Sequence, residues 1–224
     1  MSSVKENSQK IEQLLGLSLE KASRQRSEVQ VIAVTKSVSS EQATAAIEEG
    51  YLHLAENRPE GLELKQKELS DHQVIWHFIG NLQTRKVKKV INNIDYLHAL
   101  DRLSLAEEIE KRANKVVSCF VQVNVTGEET KSGISPNQLD DFIKDLSQYS
   151  KIKIVGLMTM APLDANETVI RSAFAQLREL QESIKRKALP DAPCTELSMG
   201  MSKDYTIAVE EGATFVRIGT SFFE

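Results

Sequence analysis

Short apolar runs alternate with amphipathic stretches along nearly the whole of this chain. An opening helix of roughly two dozen residues, predicted within 1–28, shows Ile11, Leu14, Leu15 and Leu19 at helical spacing. Eight apolar runs follow, at 29–35, 51–55, 74–79, 94–100, 116–125, 152–160, 194–198 and 214–218. Several of them, such as Val31-Ile32-Ala33-Val34 and Phe120-Val121-Gln122-Val123-Asn124-Val125, are nearly continuous rather than two-sided, as parallel strands covered on both faces are. Helix-start signals lie between the runs: Ser39-Ser40-Glu41 ahead of 43–49, Ser135-Pro136 ahead of 139–146, and Asp164 ahead of 169–187. Gly50 and Gly212 stand where helix C-terminal glycines belong. Eight βα units in a chain of this size predict a single (β/α)8 barrel domain over 1–224, with the extra N-terminal helix packed on it. An open doubly wound sheet is the alternative that periodicity leaves standing.

Composition narrows the function more than the fold. The chain is 41% hydrophobic and 27% charged, with a net charge of −4, so no basic face is on offer to nucleic acid or anionic lipid. Arg85-Lys86 and Lys88-Lys89 form a short basic run that reads as a solvated helix face. Cys119 and Cys194 lie far apart in apolar runs, which suggests neither a disulfide framework nor a metal or redox pair and suits a reducing cytosol. The N-terminal stretch is polar, and no uninterrupted apolar segment reaches membrane-spanning length. A cytoplasmic protein without a metal site is expected.

Chemistry in a barrel of this kind belongs at the C-terminal ends of the strands. The residues closing the apolar runs include Thr35-Lys36, Glu56-Asn57-Arg58, Gly80-Asn81, Asn124, Met158-Thr159-Met160, Ser198-Met199-Gly200-Met201-Ser202 and Arg217-Ile218-Gly219-Thr220. Lys36 is expected at the water-poor rim of the barrel core, where a lysine can act as nucleophile toward an aldehyde; alone, a lysine just past a strand is more often a solvated surface group. A phosphorylated aldehyde also needs an anion site. The 198–202 segment runs toward a helix expected near Lys203-Asp204, with Gly200 permitting close approach and Ser202 near the helix start. Arg217 to Thr220 supplies a second glycine turn, and the loops after strands seven and eight are the customary phosphate site of such barrels. His77 is expected to be a buried or rim histidine with a structural hydrogen bond, and Met158, Met160, Met199 and Met201 to be pliable packing.

Taken in order, Ala33-Val34-Thr35-Lys36, Ala55-Glu56-Asn57, Trp76-His77-Phe78-Ile79-Gly80-Asn81-Leu82-Gln83, Lys131-Ser132-Gly133, Gly156-Leu157-Met158, Leu197 to Ser202 and Val216 to Thr220 form a specific set. With them the chain resembles the pyridoxal phosphate homeostasis proteins, a family similar to the barrel half of alanine racemase. The resemblance implies pyridoxal 5′-phosphate held as a Schiff base on Lys36, with phosphate contacts from Ser202, Gly219 and Thr220. It implies that Ser198 and Met201 line the same turn and that Asn57 lies beside the cofactor. Arg217 would face the pyridine nitrogen, where an arginine that stays protonated weakens the ring as an electron sink. One departure stands out: Leu54-Ala55-Glu56-Asn57 replaces the family's usual Phe-Gly-Glu-Asn, and cofactor binding is expected to survive it.

The implied function is that of a monomeric cofactor carrier, which buffers pyridoxal phosphate, passes it to apo-enzymes that need it and supports vitamin B6 and amino-acid homeostasis. No residue is assigned a catalytic role, and slow side reactions with amino acids are expected at most. The alternative is a pyridoxal phosphate-dependent amino-acid racemase or another fold-type III enzyme. Two-base racemisation needs an acid/base on each face of the substrate, which alanine racemase completes with a tyrosine from a C-terminal domain. No such domain is expected beyond Glu224. Tyr51, Tyr96 and Tyr149 fall away from strand C-terminal ends, leaving Tyr205 as the sole candidate.

Overall fold

The computed structural model describes residues 3–128, 132–162 and 164–224, so Lys131 of the Lys131-Ser132-Gly133 motif lies outside the described residues. Eight strands run β1 (Gln30–Val34), β2 (His53–Glu56), β3 (Ile75–Phe78), β4 (Tyr96–Leu100), β5 (Val117–Gln122), β6 (Ile152–Met158), β7 (Glu196–Met201) and β8 (Phe215–Ile218). They pair in parallel in sequence order, and β8 pairs back on β1 to close a barrel. Around them lie α1 (Val4–Lys21), α2 (Ser40–Glu48), α3 (Pro59–Glu68), α4 (Val87–Val90), α5 (Leu103–Arg112), α6 (Leu139–Leu146), α7 (Glu167–Arg186), α8 (Tyr205–Glu210) and α9 (Thr220–Phe223).

The barrel explains why the apolar runs are continuous. Successive strand residues point to opposite faces, and here both faces are dry. On β1, Val31 and Ala33 join the layer between sheet and helices, whereas Ile32 and Val34 belong to a separate inner cluster with Ala55, Phe120, Met158 and Phe215. Ala55, at the departure noted above, fills space in this lumen.

Several boundaries differ from the sequence expectation, each for a local reason. The opening helix stops at Lys21, because Ser23 takes a left-handed φ of 53° and Arg24 N–H returns to the Leu19 carbonyl. Ile11, Leu15 and Leu19 are buried, but Leu14 is 47% exposed. Asn166, not Asp164, caps α7 by accepting from Val169 N–H at 3.0 Å. After β3 the helix is the four-residue α4, flanked by 3-10 turns. β7 begins at Glu196, since Cys194 sits in left-handed backbone, and continues through Gly200 to Met201. Burial pushes the Cys119 thiol up and that of Cys194 up to about 12, which leaves both unreactive.

α1 packs across α2, α8 and α9. Asn7 Nδ2 donates to the Phe222 carbonyl at 3.0 Å, and Arg24 Nη1 donates to the Val209 and Ala213 carbonyls at 2.8 and 3.0 Å. Among the described residues no helix is long and apolar enough to cross a membrane.

Candidate cofactor site

The strand C-termini open on a cleft of about 330 Å³, at the small end of the range for small-molecule sites. Lys36, Asn57, Met201, Ser202, Arg217, Gly219 and Thr220 line it, against an apolar wall that includes Ile79, Met158, Met160 and Ile170. A slightly larger cleft, about 370 Å³, lies outside the barrel between α6 and the 187–192 segment, near the N-terminal start of β6. It is remote from the strand ends where polar groups converge.

Lys36 is exposed rather than sheltered at a water-poor rim, because its backbone has already left β1. The residue before it is fixed. Thr35 Oγ1 donates to Glu56 Oε1 at 2.7 Å, and the same carboxylate oxygen is 3.0 Å from Lys65 Nζ in an ion pair that is almost wholly buried. Asn57 is held by close approach: a Cβ added at Gly80 would stand 2.2 Å from the Asn57 carbonyl oxygen. At Gly200 the approach is to protein, not ligand. Its φ is 92°, and an added Cβ would meet Ala208 Cβ at 2.5 Å on α8.

The two turns after β7 and β8 are joined at Ser202, whose Oγ accepts from Gly219 N–H at 3.1 Å and Ser221 N–H at 3.3 Å. Backbone donors therefore converge on a hydroxyl beside the cleft. α8 starts at Tyr205, directly after the expected Lys203-Asp204, once Asp204 Oδ1 has accepted the Met201 N–H at 2.6 Å. Tyr205 itself is 4% exposed and lies in the layer beneath α8, so the tyrosine singled out from sequence does not line the cleft.

Ser198 is also displaced from its expected place. It sits in the middle of β7, facing the lumen and fully buried, and not in the turn. There its Oγ accepts from Arg217 Nη1 at 2.5 Å, while Arg217 Nη2 donates to the Thr159 carbonyl at 3.0 Å. Burial brings the Arg217 guanidinium down to about 10, with Asp204 acting in the opposite sense, so it is charged at neutral pH. On its other side Ser198 Oγ is 2.8 Å from His98 Nδ1. His98 Nε2 is 2.8 Å from His77 Nδ1, and His77 Nε2 is 2.8 Å from His53 Nδ1. Tyr96 stacks on His77 at 4.6 Å and Phe120 on His98 at 4.4 Å.

Burial pushes His77 and His98 well below the ordinary histidine value of 6.5. An unfolded chain takes up protons near that value and the folded rings do not. Stability is therefore complete above about pH 6.5 and expected to fall below it, by up to about 1.4 kcal/mol per pH unit for each ring. Denaturant midpoints collected from neutral to mildly acidic pH check the slope, which should be shallower in His98→Asn.

A family model for the alanine racemase N-terminal domain matches residues 18–224. A pyridoxal phosphate homeostasis protein of Aquifex aeolicus is 40% identical over 210 residues, covering 91% of this chain and 90% of the relative. The chain belongs to the pyridoxal phosphate homeostasis protein family. A crystal structure of an unknown protein from Bifidobacterium adolescentis superposes with a TM-score of 0.92 at 31% identity, covering 98% of this chain and 94% of that one. PipY of Synechococcus elongatus, with PLP bound, superposes with a TM-score of 0.82 at 33% identity, covering 94% of this chain and 100% of that one.

Within this pyridoxal phosphate homeostasis protein barrel, sequence reasoning missed two sets of residues. Lys203 and Asp204 line the cleft although they read as a helix start. His53 and His98 read as ordinary members of apolar runs. Their signal was spacing: with His77 they occupy inward positions on three successive strands.

Proposed function

We propose that the cleft holds pyridoxal 5′-phosphate as a Schiff base on Lys36, and that the protein buffers the cofactor and delivers it to apo-enzymes without robust catalysis of its own. The observation that carries this reading is the convergence of Lys36, the Ser202–Gly219 turn pair and buried Arg217 on one cleft. Ser202, Gly219 and Thr220 take the phosphate: the hydroxyls of Ser202 and Thr220 can donate to it, and the Gly219 N–H, which in this structure donates to Ser202 Oγ, would turn to it. Asn57 and Met201 flank the ring, and Arg217 faces its nitrogen with Ser198 behind. When bound, the cofactor supplies an aldehyde for a primary amine and an electron-withdrawing ring. A charged arginine donates to the ring nitrogen without protonating it, which leaves the ring a poor electron sink. Among the described residues lining the cleft there is no tyrosine to act as a second acid/base, and Lys36 is open to solvent. An exposed amine and a weakened ring suit exchange better than turnover. We place the protein in the cytoplasm as a single-domain monomer over 1–224.

The test is a visible spectrum of purified protein after adding pyridoxal phosphate, followed by borohydride reduction and peptide mapping. An absorption band that reduction fixes on the Lys36 peptide is expected, together with transfer of unreduced cofactor to an apo-enzyme that regains activity. Absence of a band sinks the site. Sustained racemisation or decarboxylation of amino acids sinks the carrier role and restores the enzyme alternative.

A further inference from the structure

A continuous file of polar side chains runs through the barrel lumen beneath the cleft. It begins at half-buried His53, passes through fully buried His77 and His98, and reaches Ser198, which Arg217 also contacts.

The guanidinium sets the direction of the file. It can only donate, so Ser198 Oγ accepts from it. The Ser198 hydroxyl proton then has one acceptor among the described residues, His98 Nδ1. A neutral His98 that accepts at Nδ1 carries its proton on Nε2 and gives it to His77 Nδ1. The same rule passes from His77 Nε2 to His53 Nδ1, so all three rings are Nε2–H tautomers. Run the other way, the file would leave the Ser198 hydroxyl proton without a described acceptor in a site that water does not reach, a costly arrangement. The rings bond in series instead of converging on a point, and among the described residues no three histidine, cysteine or acidic side chains are placed to hold a metal ion.

We propose that His98, backed by His77 and His53, is a positioning device for Arg217: the file keeps the Ser198 lone pairs turned toward the guanidinium and so fixes the cation that faces the cofactor's ring nitrogen. The cofactor half of this inference rests on the cleft reading above. None of the three histidines lines the cleft, so they act through Ser198 and Arg217. The charged and titratable groups nearest the file are Asp204 beside Arg217, Asp95 toward His53, and Glu196 toward Tyr96.

Two measurements test it. Nitrogen-15 NMR of histidine-labelled protein without cofactor is expected to show three neutral rings near pH 7, each protonated at Nε2, beside His72. An Nδ1–H or charged ring at His98 overturns the proposal. The second measurement is the pH profile of the cofactor's absorption band. His98→Leu removes the acceptor and is expected to move the profile by about one pH unit or more while the Lys36 peptide is still labelled on reduction. His98→Asn, whose side-chain oxygen stands near the place of Nδ1, is expected to keep the wild-type profile. Should His98→Leu fail to fold, Ser198→Ala breaks the same link and is expected to give the same displacement. An unmoved profile in a folded His98→Leu or Ser198→Ala protein overturns the proposal. If the wild-type protein takes up no pyridoxal phosphate, the cleft reading fails by itself, and the tautomer measurement still decides the file.

Discussion

Replacing Lys65 with methionine is expected to lower the unfolding free energy by about 3–5 kcal/mol, read from the denaturant midpoint at neutral pH. The partner is Glu56, whose side chain is 2% exposed and whose Oε1 lies 3.0 Å from Lys65 Nζ. Methionine matches the lysine stem in volume, so little packing is lost. What remains is a carboxylate with Thr35 Oγ1 as its donor at 2.7 Å and no cation. An unpaired buried charge is far more costly than an absent pair, so Glu56→Gln combined with Lys65→Met is expected to recover most of the loss. The cleft should register the change as well. Thr35 precedes Lys36 and Glu56 precedes Asn57, so the pair clamps the backbone that presents both cleft residues.

Gly80→Ala is expected to be comparably damaging in a different way. Its Cβ would lie 2.2 Å from the Asn57 carbonyl oxygen and 2.9 Å from the Asn57 Cα, and main chain cannot swing aside as a side chain can. Overpacking of this kind costs about 1–3 kcal/mol, and more where backbone must shift. The displacement falls on Asn57, so the affinity for pyridoxal phosphate is expected to drop about tenfold or more, equivalent to about 1.4 kcal/mol. Equilibrium titration of the absorption band checks it. Gly16→Ala serves as the control: an added methyl there meets nothing within 4 Å on α1. Alanine should stabilise that helix by up to about 1 kcal/mol.

The barrel was legible because parallel strands buried on both faces write themselves as short unbroken apolar runs: all eight runs overlap a strand, although β2 and β7 continue past the ends of theirs. The same property hid the lumen. When inward and outward positions are both apolar, alternation vanishes, and His53 and His98 carry no label saying which face they occupy. Lys36, Asn57, Met201, Ser202, Gly219 and Thr220 were legible because strand ends are local features, marked by the turn that follows an apolar run. Ser198 was misplaced because Gly200 looks like the end of a strand. Its left-handed backbone instead lies within β7 and lets α8 close over it. The exposure of Lys36 depends on how neighbouring strands end, which no single run encodes.

Closure of β8 on β1 has a consequence for how the molecule comes into being. During translation the first strand leaves the ribosome early, yet its partner spans Phe215–Ile218 and Arg217 arrives with it. Until then both edges of an incomplete parallel sheet stay unpaired, and the three lumen histidines face water. Long-range pairings of this type fold slowly and leave sticky edges in the interim. α1 meets a similar delay, since of the helices it packs on only α2 follows it closely, whereas α8 comes after β7 and α9 after β8. Nascent chains halted before Phe215 should therefore be protease-sensitive over their whole length, and protection should arrive in one late step.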